Sequence, residues 1–571
     1  MSDVKKLYEL WCDKAVLDKD LICELESIKG KDEEINERFY RNLEFGTAGL
    51  RGIIGAGTNR MNVYTVNHAT QGLASYLLET SEKPSVAIAY DSRIKSDVFA
   101  KSAASVLAAN GIKVYFYPEL VPTPMLSFAV RRLGCQSGII ITASHNPSEY
   151  NGYKCYDPEG YQMTDEAAAK TYEYILKTDI FNDVKTMDFD KAVDEGIVEY
   201  IGQWLIDEFY ENVKKCCLSL DICKKSGLKV IYTPLNGTGN KPVRHMLREI
   251  GIDDVRVVPE QENPDGNFPT CPYPNPEKME VFSLALAMAE KEPADLLLAT
   301  DPDCDRVGIA VNTDEGFKLM TGNEVGVLLS EYLLSRRSEL GTLPENPIVV
   351  KSFVTTNLVD KVCAKYGAET ANLLTGFKYI GEFVTKLESK GEQDRFIAGM
   401  EESYGYLSGI HARDKDAVVA SVLICEMAAY YKSKGKSLYE VMQDIYSKHG
   451  MFLNVVDSFE FPGAAGMTKM AEIMDNLRKN PPEYMGGYMV LVVSDFLSSV
   501  SRDVLLGEET VIDLPKSNVL SYKLESDNCV IVRPSGTEPK IKIYFTACSD
   551  NRQKAMVIKE RLSESIKKYL L

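Results

Sequence analysis

Residues 85 to 118 read SVAIAYDSRIKSDVFAKSAASVLAANGIKVYFYP: a short apolar run, a helix-forming stretch that stops at Gly111, and a second apolar run. Glycine suits a left-handed C-cap there, because it lacks the Cβ that makes such a backbone unfavourable. The same series returns twice. LKVIYTPLNGTG (228–239) leads through NKPVRHMLREIG to Gly251 and the run VRVVPE, and PIVVKSFVTTN (347–357) leads through TNLVDKVCAKYG to Gly367 and ETANLLTG. Each unit continues through a further helical stretch to a third apolar run, SGIIITASHN (137–146), ADLLLATDPD (294–303) or DRFIAGMEES (394–403). Strands alternating with helices predict βαβ crossovers and mixed or mainly parallel sheets, whose ligands lie beyond the carboxyl ends of the strands. Three similar α/β domains can then aim three loops into one cleft.

From about residue 451 the pattern changes. GYMVLVVSDF and CVIVRPSG read as strands and NRQKAMVIKERLSESIKKYLL as a closing helix, which predicts a smaller C-terminal α+β domain. The chain of 571 residues is too long for one core, and the expected division is 1–205, 206–325, 326–450 and 451–571. No motif marks residues 165–225.

Composition narrows the function. With 65 Lys plus Arg against 83 Asp plus Glu the net charge is −18, so nucleic acid and anionic membranes are poor partners, and an anionic substrate must be held by local cations. A hydrophobic share of 45% with 26% charged residues is that of a folded globular chain rather than a disordered one. The N-terminal MSDVKKLYELWCDKAVLDKDLICELESI is patterned as an amphipathic helix, not a signal peptide, and no later apolar run is long enough to span a bilayer. Thirteen scattered cysteines without a CxxC spacing read as free thiols of a reducing cytosol, so a cytoplasmic location is expected.

The strongest polar motifs sit at the ends of the third runs. TASHNPSEYNGYK (142–154) displays Ser144 at a strand end, with His145 and Lys154 as local candidates for proton handling or phosphate neutralisation; a Ser-His-Asn-Pro turn capping a strand is the plainer reading of the tetrapeptide alone. DPDCDR (301–306) sets Asp301, Asp303 and Asp305 at alternate positions. Two carboxylates about 4 Å apart repel by ~4 kcal/mol at an effective dielectric near 20, so three converging ones call for Mg²⁺ or Ca²⁺. An EF-hand fails, because Arg306 and Asn312 stand where its Gly and Glu belong; a solvated acidic turn is the lesser alternative. Cys304 is expected to point away.

GMEESYGYL (399–407) brings Glu401, Glu402 and Ser403 to a strand end, and TGFKYIG (375–381) supplies Thr375, Gly376 and Lys378; such groups suit sugar hydroxyls, although surface turns use them too. RPSGTEPKIKIY (533–544) offers Arg533, Ser535, Gly536 and Thr537 as an anion cradle, or a hairpin loop with incidental polarity. Lys540 and Lys542 alternate with isoleucines and read as a solvated basic face. The stretch FGTAGLRGIIGAGTNRMN (45–62) carries Arg51 and Arg60 but lacks a P-loop ending, and Asp91 and Arg93 read as an internal ion pair.

Taken together, TASHNP, DPDCDR, EESYG and RPSGTE, in that order and one per domain, resemble the α-D-phosphohexomutase superfamily, in its phosphoglucomutase and phosphopentomutase branch. The resemblance implies four domains in a heart shape around a central cleft. It implies an intramolecular phosphotransferase that interconverts glucose 1-phosphate and glucose 6-phosphate through a phosphoserine and glucose 1,6-bisphosphate, with ribose or deoxyribose 1-phosphate as the alternative substrate. A bisphosphate synthase and a phosphosugar-binding protein without turnover are the other readings. Ser144 resembles the phosphorylated serine and stands with Asp301, Asp303 and Asp305 in the Mg²⁺ set. Arg51, His145, Lys154, Lys378 and Lys415 match basic catalytic positions. Thr375, Gly376, Glu401, Ser403, Arg306, Arg533, Ser535, Gly536 and Thr537 match substrate contacts. The partner is then a small phosphosugar, for a monomer or homodimer. One departure stands out: the phosphomannomutase/phosphoglucomutase branch carries a histidine shortly after its Glu-x-Ser, where this chain has Gly405, so mannose specificity does not carry over.

Overall fold

The computed structural model describes residues 2–46, 49–461, 466–535 and 540–570. Among them the repeat becomes three sheets with a shared plan. The first run lies in the middle, with the second and third runs parallel to it on either side: Ser85–Tyr90 between Lys113–Phe116 and Ser137–Ile141, Lys229–Thr233 between Asp254–Val257 and Leu296–Thr300, and Ile348–Ser352 between Glu369–Leu373 and Phe396–Glu401. The glycines that end the first helices have φ of 74° at Gly111, 88° at Gly251 and 65° at Gly367, the left-handed cap their sequence predicts.

The segment after each third strand decides where chemistry can sit. The chain turns back at once into an antiparallel partner, Tyr150–Tyr156, Val307–Thr313 or Gly405–Leu407. The sheets are therefore mixed, and each motif is the loop of a hairpin with both ends pinned by ladder hydrogen bonds. The C-terminal domain repeats the device in a wholly antiparallel sheet, where Cys529–Pro534 pairs with Lys540–Ser549. Gly536 and Thr537 lie outside the described residues. The helices Gly466–Lys479 and Arg552–Leu570 cover this sheet through Met474, Leu477, Leu562 and Ile566 against Ile541, Ile543 and Phe545.

One apolar cluster runs without a break through the first three domains. At its centre lies the helix Ala417–Ser433, buried at every position from Ala417 to Tyr430, as a helix that is apolar all round must be. The helix Gln203–Lys215, within the stretch that carries no motif, packs against helices of all three domains. A second cluster around Trp11 fills the other face of the first domain. Among the described residues no helix is long and apolar enough to cross a membrane.

Glu426 is the polar exception inside the buried helix. Its carboxylate accepts the amides of Leu218 and Ser219 at 2.8 and 2.5 Å, and burial pushes its pKa up to about 7. A carboxyl raised in the folded state binds more protons there than in the unfolded chain, so its stabilising contribution is full below the unfolded value and is lost as pH rises toward 7. Glu426→Gln should therefore match the wild type near pH 4.5 and exceed its unfolding free energy at pH 8 by up to about 3 kcal/mol. Chemical denaturation at the two pH values checks this, and a pH-independent difference would contradict it.

Candidate active site

The loop 142–149 leaves the first sheet so tightly that Ser144 takes φ 51°, a left-handed backbone uncommon outside glycine. Thr142 Oγ1 accepts the Ser144 amide at 2.8 Å. The serine is 4% exposed, and its Oγ donates to Asp301 Oδ2 at 2.8 Å, joining the first domain to the second. The same oxygen lies 3.2 Å from His145 Nδ1. Burial, then Arg306, Arg51 and Lys154, push the His145 pKa down to about 2, so the ring is neutral. It serves as a hydrogen-bonding partner rather than a cation.

DPDCDR folds into a turn whose carboxylates converge. Asp301 Oδ1 accepts the amides of Asp305 and Arg306 at 3.1 and 2.9 Å, and Cys304, at φ 51°, sends its thiol into the core, away from the cleft. One oxygen from each of Asp301, Asp303 and Asp305 lies within 4.8 Å of the others, and all three residues are buried. Cations from both neighbouring domains meet them: Lys154 Nζ stands 3.1 Å from Asp303, and Lys415 Nζ 3.2 Å from Asp305. Burial, then Asp303 and Asp305, raises the Asp301 pKa well above the carboxylate range. Asp303 is held below it against burial, by Lys154 first. Asp303 Oδ1 and Asp305 Oδ1 are buried without a hydrogen-bond partner. Since an unpaired buried carboxylate oxygen is unfavourable, this cluster fits a divalent metal ion with oxygen ligands.

In the third domain Glu401 accepts the Gly376 amide at 2.8 Å, which ties the two loops together; Gly376 has φ 126°. Burial, then Glu401, raises the Glu402 pKa to about 7. Ser403 follows on the hairpin turn, half-buried, and the Thr375 hydroxyl is buried without a partner. Burial alone would favour neutral Lys415, but Asp305, Asp414 and Glu401 hold it charged, with its pKa above the ordinary lysine value. Gly405 makes this position of Lys415 accessible. A Cβ built there would fall 2.1 Å from Lys415 Cδ, so the missing side chain is the space through which the lysine stem passes.

The remaining expected residues are more dispersed. Arg51, on the edge strand Gly49–Ile53 of the first sheet, reaches Asn146 at 3.4 Å, and Arg306 pairs with Glu277 at 2.9 Å. Lys378 turns to Asp165 of the first domain at 2.6 Å. Arg60 is structural, buried and paired with Glu37 at 2.7 Å. In the C-terminal domain Arg533 stands opposite Lys542 in the ladder, and the Ser535 amide bonds the Lys540 carbonyl at 2.8 Å. Lys542 departs from the solvated face expected of it: it is half-buried, and burial, then Lys540 and Arg533, lowers its pKa. These cations form a basic wall beside Tyr544.

Several participants carry no sequence signal. Thr123 grips Asp303 through its amide at 2.9 Å and its hydroxyl at 3.1 Å, and Thr238 grips the Pro302 carbonyl at 2.8 and 3.0 Å. Tyr156 donates to Asp414 at 2.6 Å, which in turn holds Lys415 at 3.1 Å. Apart from the neighbours Asp414 and Lys415, each partner is remote in the chain, so no local spacing betrays it.

Comparison with known proteins matches the phosphoglucomutase/phosphomannomutase family along most of the length: α/β/α domain I over residues 42–180, domain II over 207–316, domain III over 321–449, and the C-terminal domain over 514–563. A phosphoglucomutase of Staphylococcus saprophyticus is 36% identical over 91% of this chain and 93% of its own, and one of Staphylococcus aureus is 35% identical over 95% and 96%. The fold is shared with a putative phosphomannomutase of Thermus thermophilus (TM-score 0.68, 24% identity, 92% of this chain and 99% of the other). It is also shared with the open form of Paramecium parafusin (TM-score 0.67, 18% identity, 93% and 95%).

Gly405→Ala tests the lysine channel. The crystal structure of the variant should show Lys415 Nζ beyond roughly 4 Å from Asp305, outside ion-pair range. An undisturbed lysine would contradict the steric reading.

Proposed function

The chain belongs to the phosphoglucomutase/phosphomannomutase family, and from that premise we propose that it interconverts glucose 1-phosphate and glucose 6-phosphate by way of phosphorylated Ser144. The observation that carries the reading is the 2.8 Å contact of Ser144 Oγ with Asp301, in a cleft where Lys154 and Lys415 bring positive charge to the acidic triad. Asp301, Asp303 and Asp305 would hold Mg²⁺, which when bound offsets their charge and draws electron density from the transferring phosphoryl group.

In the forward direction Ser144 gives its phosphoryl group to the free 6-hydroxyl of glucose 1-phosphate; the hydroxyl proton leaves to a cleft base, and the freed serine oxygen takes a proton in return. The resulting glucose 1,6-bisphosphate reorients, and its 1-phosphoryl group passes to Ser144 Oγ as the serine proton leaves to the cleft base. The oxygen released on the sugar takes a proton from a cleft acid, and Lys415, held charged, offsets negative charge beside it. Neutral His145 orients the serine oxygen. Glu401 and Ser403 bind sugar hydroxyls, and Arg533, Ser535, Gly536 and Thr537 hold the phosphate that is not being transferred, with Lys542 opposite Arg533. Burial of Ser144 supports its protection from water. Acidic net charge and free thiols accord with action in the cytoplasm.

The test is a coupled assay with Mg²⁺ and glucose 1,6-bisphosphate, comparing glucose 1-phosphate with ribose 1-phosphate, together with Ser144→Ala. Turnover on glucose 1-phosphate should exceed that on ribose 1-phosphate and fall by at least about 10³-fold in the alanine variant. Full turnover by Ser144→Ala would remove the covalent route, and binding without turnover by the intact protein would leave a binding protein. Thermal unfolding gives a second readout. Mg²⁺ at about 100 times its Kd should stabilise the wild type by about 2.7 kcal/mol, and Asp303→Asn should abolish most of that gain. An equal gain in the variant would contradict the metal assignment.

A further inference from the structure

Arg93 takes no part in the phosphoryl transfer itself, yet it holds the loop that carries Ser144. Its side chain is fully buried. Nη2 donates to the carbonyl oxygens of Ser144 and Asn146 at 2.5 Å each, and Nη1 to those of Pro147 and Tyr150 at 2.8 and 3.0 Å. Four carbonyls of one short segment thus converge on a single planar fork. Asp91 fixes the fork from behind: Arg93 Nε lies 3.5 Å from Oδ2, while Oδ1 accepts the Arg93 amide at 2.9 Å and the Ser96 hydroxyl at 2.8 Å. The second domain closes the far side. The Phe268 ring centroid sits 5.1 Å from the guanidinium carbon, and Gly266 packs so tightly on the Arg93–Ile94 backbone that a Cβ there would lie 2.4 Å from the Ile94 nitrogen.

We propose that Arg93 is the positioning residue that sets Ser144 for phosphoryl transfer, and that Phe268 of the second domain completes it; the proposal rests on Ser144 as the phosphoryl carrier. The serine backbone is in a left-handed conformation that a β-carbon disfavours. Pulling the carbonyls of residues 144, 146, 147 and 150 to one point holds that conformation without touching the serine side chain, which stays free to meet Asp301. Lysine cannot substitute, because one ammonium does not present a rigid planar fork. Since the ring over the guanidinium comes from the second domain, the nucleophile's geometry depends on the same domain contact that brings the acidic triad to it.

Arg93→Lys, Phe268→Ala and the double variant test this. Arg93→Lys should lose about 100-fold in kcat with KM within about threefold of wild type, the signature of a misplaced rather than an unbound reactant. Amide exchange over residues 144–150 should quicken. Phe268→Ala should lose less, and the double variant should be no worse than Arg93→Lys alone, because both act through one group. Wild-type kcat in folded Arg93→Lys, or losses that multiply in the double variant, would overturn the proposal. Should Arg93→Lys fail to fold, Phe268→Ala decides, since it leaves the four carbonyl bonds in place: a wild-type kcat and exchange rate would overturn it. If the intact protein turns over no phosphosugar, the Ser144 reading falls. The exchange measurement still decides the positioning role, which unchanged exchange in Arg93→Lys would refute.

Discussion

Three buried carboxylates within 4.8 Å of one another are the feature around which this molecule is organised. At such separation each pair repels by about 3 kcal/mol at an effective dielectric of 20, and folding must supply compensation from somewhere. Part of it is local, from Arg306 at 3.7 Å from Asp305, and part comes from the neighbouring domains. Lys154 arrives on a strand of the first domain and Lys415 from the third, while the loop's own amides at 305 and 306 satisfy one face of Asp301. The acidic loop therefore binds the three α/β domains together electrostatically, and its oxygens form a site that fits a divalent cation.

The fold serves that convergence through one repeated device. A parallel strand carries the chain to the cleft and an antiparallel partner takes it straight back, so that each motif is a short loop anchored at both ends. Behind the loops, the buried helix Ala417–Ser433 and the continuous apolar cluster around it leave little freedom between the first three domains. The C-terminal domain is attached differently. It keeps its own core and meets the third domain through a smaller apolar patch where Phe353 stacks on Phe496 at 5.0 Å. That contrast sets three tightly packed domains against one held by a smaller contact.

Much of this was legible in the sequence because its causes are local. Glycine at 111, 251 and 367 marks left-handed caps, apolar runs mark strands, and three aspartates at alternate positions call for a cation where they converge. The return strands after each motif are less legible, since Tyr150–Tyr156 mixes polar and apolar residues and the pairing of each is set by the sheet. Lys542 reads as solvated from alternation alone, which cannot tell that the face opposite Ile541 and Ile543 lines a cleft. Arg93 reads as half of an ion pair with Asp91, which it is. Its four carbonyl partners lie more than fifty residues away, and no spacing rule reaches that far. Thr123, Tyr156 and Asp414 escape for the same reason. Gly405 is visible as a departure from a related branch, but its meaning emerges only with the lysine stem against it.

Whether Ser144 hands its own phosphoryl group to the sugar is tested most directly by a single turnover. Enzyme carrying radiolabelled phosphate on Ser144 is mixed with unlabelled glucose 1-phosphate and Mg²⁺ and quenched within one catalytic cycle. Label should leave the protein as sugar phosphate at a rate no slower than turnover. Label that stays on the serine while product forms, or that appears as inorganic phosphate instead, would contradict the covalent route.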